Sequence, residues 1–418
     1  MMIRRHTIYP VLFAVLILAA CKKAPPPDAV CTYEPLPATA DVPSGQGGVM
    51  AQASTDIYFY ALDETGKQLG SAHVNGTLAL KPGSYRLKLN NSVHPAAVQS
   101  KTLTKCSTGA VLVSGATDEY YYVLDSAATQ LSSAHVAAAL SLFPGNYQVR
   151  LNNSLAPATV QPGATIELKP GILNVEAPTD EYYYVFDSTA RQLASSHVGK
   201  PIGLFAAGYT VKINNSESKA EVRAGQTSAL AAGTLVVNGA TDEYYYVFNP
   251  AGTQLASAHL GRPLALFPGS YNVKLNNSVM PATVAAAAPT DLKTGSITLQ
   301  GPTDEYYYVY DRAGTQLASA HLGRPLSFMP GDYTAKLNNV AVPVHAEAGR
   351  ANDYQAGTVT VKSSGSEYYY VLDSAGTQLA SKQLNQPVSL PAGKYSVKVG
   401  NNARPVAIAA GQSLVVNW

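Results

Sequence analysis

Tyrosine is the residue this chain uses most deliberately: 27 of its 418 residues are Tyr, against a single Trp. They cluster in one motif. Asp-Glu-Tyr-Tyr-Tyr-Val is complete from Asp118 to Val123 and returns at Asp180, Asp242 and Asp304. Ser366 heads an altered copy, and Asp56-Ile57-Tyr58-Phe59-Tyr60 is an imperfect one. A strand alternates its faces, so the middle Tyr shares a face with Val and the outer two share the other. Phe59 holds the middle place in the first copy and has no hydroxyl to satisfy, so that face is expected to be core. The outer pairs are Tyr120 and Tyr122, Tyr182 and Tyr184, Tyr244 and Tyr246, Tyr306 and Tyr308, and Tyr368 and Tyr370. They form a repeated aromatic face that either packs on a neighbouring repeat or stays open for a ligand.

Other groups capable of chemistry also recur. A histidine returns at His73, His135, His197, His259 and His321, with Gln383 in the last copy. Zinc needs three or four converging ligands, and each copy offers one such His with no local partner at ligand spacing, so a structural histidine is the expectation over a metal or proton site. Acids sit at both ends of the aromatic strand, Asp118 and Glu119 at one and Asp125 at the other. Seven residues of strand hold those two Asp roughly 23 Å apart, too far to share an ion within one copy. They could meet across a junction and bind calcium. Asn249 and Ser366 replace the acid in two copies, which favours turn capping.

No Gly-x-Ser-x-Gly, Cys–His or phosphate-cradling pattern is present, so no catalytic, cofactor or metal residue is assigned and an enzyme is a remote reading. Charged residues are only 13% of the chain, with Lys plus Arg 29 and Asp plus Glu 27. Residues 1–20 contain Arg4 and Arg5 and no acid, so without them the balance is 29 − 2 = 27 against 27. A neutral chain lacks the footprint of a nucleic-acid binder.

The elements that position these residues follow from the spacing. Motif starts at 56, 118, 180, 242, 304 and 366 are 62 residues apart, and a fixed period of that size marks an array of like units. A Gly leading a β-type run sets the phase and gives repeats 47–108, 109–170, 171–232, 233–294, 295–356 and 357–418. In the fourth repeat, strands are expected over 234–238, 243–248, 254–260, 263–267 and 271–275, with two weaker ones near 281–285 and 291–294. Asn249-Pro250-Ala251-Gly252 reads as a type I turn and Asn276-Asn277 as a turn tolerating positive φ. About seven short strands with no helical period make a small β-sandwich. The fold class is therefore all-β, a tandem array of six small β-sandwich repeats. The alternative is a six-bladed β-propeller, although blades usually have four strands.

Pro144-Gly145-Asn146-Tyr147-Gln148-Val149, Pro268-Gly269-Ser270-Tyr271-Asn272-Val273 and Pro330-Gly331-Asp332-Tyr333 resemble PEGA-type repeats. Val-Phe-Asp-x-x-x-x-Gln-Leu, from Val185 to Leu193, is similar to carboxypeptidase-regulatory-like sandwiches. The resemblance implies small sandwich domains of a bacterial envelope protein.

The N-terminus carries Arg4 and Arg5, an apolar run from Val11 to Ala20, and Cys21. The run is well short of the ~20 residues a spanning helix needs and reads as a secretory signal. Leu18-Ala19-Ala20-Cys21 resembles the lipobox of bacterial lipoproteins. That implies a signal peptide over 1–20, lipid attachment at Cys21 and a membrane partner reached through the lipid anchor. Lys22, where inner-membrane retention usually calls for Asp, implies the outer membrane. Residues 21–46 are rich in Pro and are expected to form an extended tether without a core. Export would favour a disulfide between Cys31 and Cys106, with free thiols or an intermolecular bridge as alternatives. The expected whole is a lipid-anchored, non-enzymatic envelope scaffold or spacer that presents a binding surface to an envelope protein or a glycan. The second reading is a carbohydrate- or peptidoglycan-binding module working through the Tyr pairs.

Overall fold

The computed structural model describes residues 30–115 and 117–418, so residues 1–20, expected as a signal peptide, and Cys21 lie outside the described residues. The described chain is strand and turn with no helix. It divides into two compact units. The first runs to Leu151 and adds Leu155–Lys169, and the second comprises Asn152–Ser154 and Pro170–Trp418.

The fourth repeat shows the common plan. Its Gly-led strand (Gly233–Asn238) lies between a short strand (Leu264–Leu266) and a closing strand (Pro289–Lys293). It pairs antiparallel with the first and parallel with the second. The other sheet has the order histidine strand (Gln254–His259), tyrosine strand (Tyr244–Phe248), then the two arms of a hairpin, Gly269–Leu275 and Ser278–Val284. Two facing sheets enclose one core, as a sandwich requires. The propeller alternative fails on this point, because each repeat consists of two facing sheets, of three and four strands in the second to sixth repeats and of four and four in the first, where a blade would be a single sheet.

The core of the fourth repeat holds Leu235, Val237, Tyr245, Val247, Leu266, Val273 and Leu275. Tyr245, the middle residue of the motif, is fully buried, as is Phe59 in the first repeat. Its hydroxyl lies 2.7 Å from the Arg262 carbonyl and 3.2 Å from that of Leu235, so the buried phenol has the partners it needs. Burial raises its pKa well above the usual phenol range. Gly233 is required by close approach: a Cβ there would meet the Ala285 carbonyl oxygen at 2.0 Å. In the hairpin turn Asn276 and Asn277 have φ of 43° and 60°, the left-handed region that Asn tolerates.

One sequence expectation needs correction. Residues 21–46 do not form a tether throughout, because Cys31–Pro35 is a strand. It pairs antiparallel with the closing strand of the first repeat, Cys31 opposite Cys106 and Pro35 opposite Thr102. Val30 and Cys31 join that repeat's core. A disulfide links Cys31 to Cys106. Proline density had suggested an uncommitted spacer, but Pro35 sits at the end of an edge strand, where the lack of an N–H costs no ladder bond.

Candidate functional site

The tyrosine strand displays its outer residues on the solvent side of the four-stranded sheet. Tyr244 is 49% exposed and Tyr246 38%. Tyr120, Tyr182, Tyr184, Tyr306, Tyr308, Tyr368 and Tyr370 are exposed in the same way, while Tyr122 is half-buried. Side chains so open to solvent are not buried in a repeat-to-repeat contact.

Cross-strand register places definite neighbours beside the pair. Tyr246 is opposite Ser257 on one side and Lys274 on the other, and Lys274 is opposite Val279, so the four form one row across the sheet. Directly opposed residues have Cβ atoms about 5 Å apart and interact. Tyr246 and Lys274 help line an open groove of about 390 Å³ with Tyr244, Phe248, Gln254 and Asn276. The third repeat has a counterpart of about 520 Å³ built on Tyr182, Tyr184 and Lys212. The first has one of about 530 Å³ on Tyr58, Tyr60 and Lys88, with Ser132 of the second repeat at its rim.

The histidine has a partner that local spacing hid. His259 Nδ1 is 2.7 Å from Asp242 Oδ1, the first residue of the motif. Its ring lies 3.9 Å, centroid to centroid, from that of Tyr244. The same trio occurs as Asp56–His73–Tyr58 and Asp180–His197–Tyr182. In the last repeat Ser366 and Gln383 replace both members of the pair together. The histidine thus fixes one wall of the groove by holding the first Tyr ring. Among the described residues no three His, Cys, Asp or Glu side chains converge to hold a metal.

The second acid of the motif does something different. The Glu243 carboxylate accepts from Asn276 Nδ2, from the Thr241 hydroxyl and from the backbone N–H of Ser327 in the fifth repeat, the last at 3.0 Å. Asn276 Nδ2 donates to the Ser327 carbonyl at 2.9 Å and Asn277 Nδ2 to that of Leu317 at 2.8 Å. The Asn pair read from sequence as a turn is also a clamp on the next repeat. Glu181 with Asn214 and Glu305 with Asn338 repeat the arrangement. The foot acids cap turns: Asp125 Oδ1 accepts the N–H of Ala127 and of Thr129.

Sequence reasoning overlooked the cation opposite the second Tyr and the Gln at the start of the histidine strand. Both were visible, since each returns at the 62-residue period.

No family model matches the chain, and no curated protein matches it. Among solved structures it is similar to the Bacillus anthracis TIE protein at 12% identity and a TM-score of 0.14, covering 77% of this chain and 74% of that one. The pilus adhesin SpaC from Lactobacillus rhamnosus GG gives 11% identity and a TM-score of 0.14, covering 91% of this chain and 51% of that one. The major pilin subunit of Bacillus cereus gives 9% and 0.13, covering 89% and 99%. Superpositions at that level decide nothing about function.

Proposed function

We propose that the chain is a non-enzymatic repeat scaffold of the bacterial cell envelope, attached by lipid at Cys21, whose repeats present tyrosine-lined grooves as a binding surface. One observation carries this reading: Tyr pairs border an open groove at the same place in the first, third and fourth repeats, both rings exposed in the third and fourth and Tyr58 in the first. Exposed aromatic surface repeated in register costs solubility and is retained where something binds it. The Asp–His–Tyr trio supports the reading further, since it holds a ring in place on a surface that needs none for folding. Lipid attachment and an outer-membrane location rest on the lipobox resemblance and on Lys22, and the PEGA-like turns agree with an envelope protein.

The test is a pull-down from envelope fractions with the full chain in detergent, beside a variant carrying Tyr→Ala at both outer Tyr positions of every repeat, Tyr244 and Tyr246 in the fourth. Lost capture with an unchanged melting temperature supports the grooves. Lost stability with intact capture assigns the Tyr pairs to packing and sinks the proposal. Attachment is tested separately by Cys21→Ser, which should move the protein out of the detergent phase.

A carbohydrate- or peptidoglycan-binding module is the second reading. It is favoured by the two Tyr rings two residues apart on one face, because flat aromatic rings stack on the apolar faces of sugars.

A further inference from the structure

The tyrosine face carries a charge pattern that narrows its ligand. In every repeat the second outer Tyr has a cation directly opposite it on the neighbouring strand: Lys88, Arg150, Lys212, Lys274, Lys336 and Lys398. Arg replaces Lys once, so the positive charge is common to all six while the side chain is not. The cations are half-buried; the next position along the row is exposed and reads Val93, Glu217, Val279, Ala341 and Ala403, with Leu155 at the same place in the 62-residue period. Two adjoining positions on one open face therefore behave differently, one fixed in charge and one free to drift. Strand-forming tendency acts on both alike and does not separate them. Repeats 4 and 5 share an identical stretch, Gly252–Leu264 and Gly314–Leu326, which stops short of the cation; the cation itself lies in a hairpin arm whose pattern, Tyr three residues before it and an apolar residue on either side, is common to all six repeats.

The acids near the groove are already committed. Glu243 is occupied by Asn276, Thr241 and the Ser327 N–H, and Asp242 by His259. Lys274 is half-buried along its stem and has no ion-pair partner among the described residues, so its ammonium lies at the groove free for an anion. In other repeats the cation is engaged: Lys212 pairs with Glu217 at 2.7 Å, Arg150 donates to Gln130 Oε1 at 3.2 Å and lies 4.9 Å from the centre of the Tyr122 ring, and Lys336 lies 4.4 Å from the centre of the Tyr310 ring. What the groove offers an incoming molecule is thus two aromatic faces, the amide of Gln254 and an unspent positive charge.

Resting on the groove reading above, we infer that the tyrosine grooves take acidic saccharide units, sugars bearing a carboxylate, within a longer glycan chain. The ring of Tyr246 supports the sugar's apolar face, Lys274 meets its carboxylate in a charge-assisted bond, and Gln254 serves its hydroxyls. Grooves recurring along one chain let a polymer engage several at once, which raises avidity without new contacts.

The experiment titrates the full chain in detergent with polygalacturonate, with a neutral galactan of matched length and with polyglutamate. The expected result is polygalacturonate binding at least tenfold tighter than galactan in low salt, with that advantage shrinking in 0.5 M salt as ion pairing is screened. Replacing all six cations by Met should reduce polygalacturonate to the galactan level with the melting temperature unchanged. Equal binding of galactan and polygalacturonate, both lost on Tyr→Ala substitution, overturns the acidic-sugar inference and leaves the groove reading standing. Polyglutamate binding as tightly as polygalacturonate overturns the inference too, because charge alone would then suffice. If no polymer binds and the Tyr variant still captures envelope material unchanged, both readings fall.

Discussion

Glu243 and Ser327 are 84 residues apart in sequence, and the carboxylate of one accepts the backbone N–H of the other at 3.0 Å. The motif that sets the period of the chain is thereby divided in labour. Its Asp steadies a histidine, its Glu grips the following repeat, its middle Tyr fills the core, and its outer Tyr residues face solvent.

Glu243→Ala should leave the Ser327 N–H without its acceptor and Asn276 without one of its two partners. An unpaired buried donor costs about 1–3 kcal/mol. Hydrogen exchange should accelerate at the Ser327 amide and little at the core amides of the fourth repeat. Unchanged protection at Ser327 would show that this bond contributes nothing to the joint.

The Cys31–Cys106 link spans 75 residues and fastens the added strand to the first repeat. Closing a loop of that length restrains the unfolded chain by about 4 kcal/mol in the chain-entropy description. Cys31→Ser with Cys106→Ser should lower the unfolding temperature of the first repeat and expose the amides of residues 31–34 to exchange, with the fourth to sixth repeats unaffected. A first repeat that melts unchanged would contradict this.

Acid should loosen the turn at Asp187. Its carboxylate accepts from the Thr189 hydroxyl, the Thr189 N–H and the Arg191 N–H. The Thr189 hydroxyl foremost, these bonds pull its pKa from the ordinary 3.8 down to about 2. Because the folded value is the lower, the unfolded chain takes up the proton first as pH falls. The turn's contribution is therefore complete above about pH 4 and lost on the way down to pH 2. Asp187→Asn should flatten that part of the profile, since Asn249 already caps the matching turn through the Thr253 N–H at 2.8 Å. Thermal melts of both proteins at pH 4 and pH 2 decide it, and parallel losses would be contrary to the expectation.

What could be read from the chain alone was whatever repeats locally. Alternation marked the strands, Phe59 in place of Tyr marked the core face, and Gly at a fixed phase marked the start of each repeat. Groups that act at a distance were illegible. Asp242 and His259 are 17 residues apart and meet only because the tyrosine and histidine strands pair in register, with Tyr244 opposite His259. Asn276 and Asn277 looked like turn residues because their backbone is one, and nothing local shows where an amide side chain reaches. The Cys31–Pro35 strand was hidden by proline, which signals a missing N–H but not which edge of a sheet lies near enough to use the rest.

Each Glu clamp in the second unit grips main chain. Glu181, Glu243 and Glu305 receive the backbone N–H groups of Ala265, Ser327 and Ser389, and the matching Asn residues donate to backbone carbonyls. These contacts read backbone, and side chains add to them: the Thr241 hydroxyl lies 2.6 Å from that of Ser327, the Thr303 hydroxyl 2.6 Å from that of Ser389, and Lys382 Nζ 3.5 Å from Glu305. A repeat copied in a whole 62-residue step keeps the same backbone contacts to Glu and Asn, whichever residue, Ala265, Ser327 or Ser389, supplies the N–H. The number of grooves in such a protein becomes something that can change by copying, independently of what any one groove recognises.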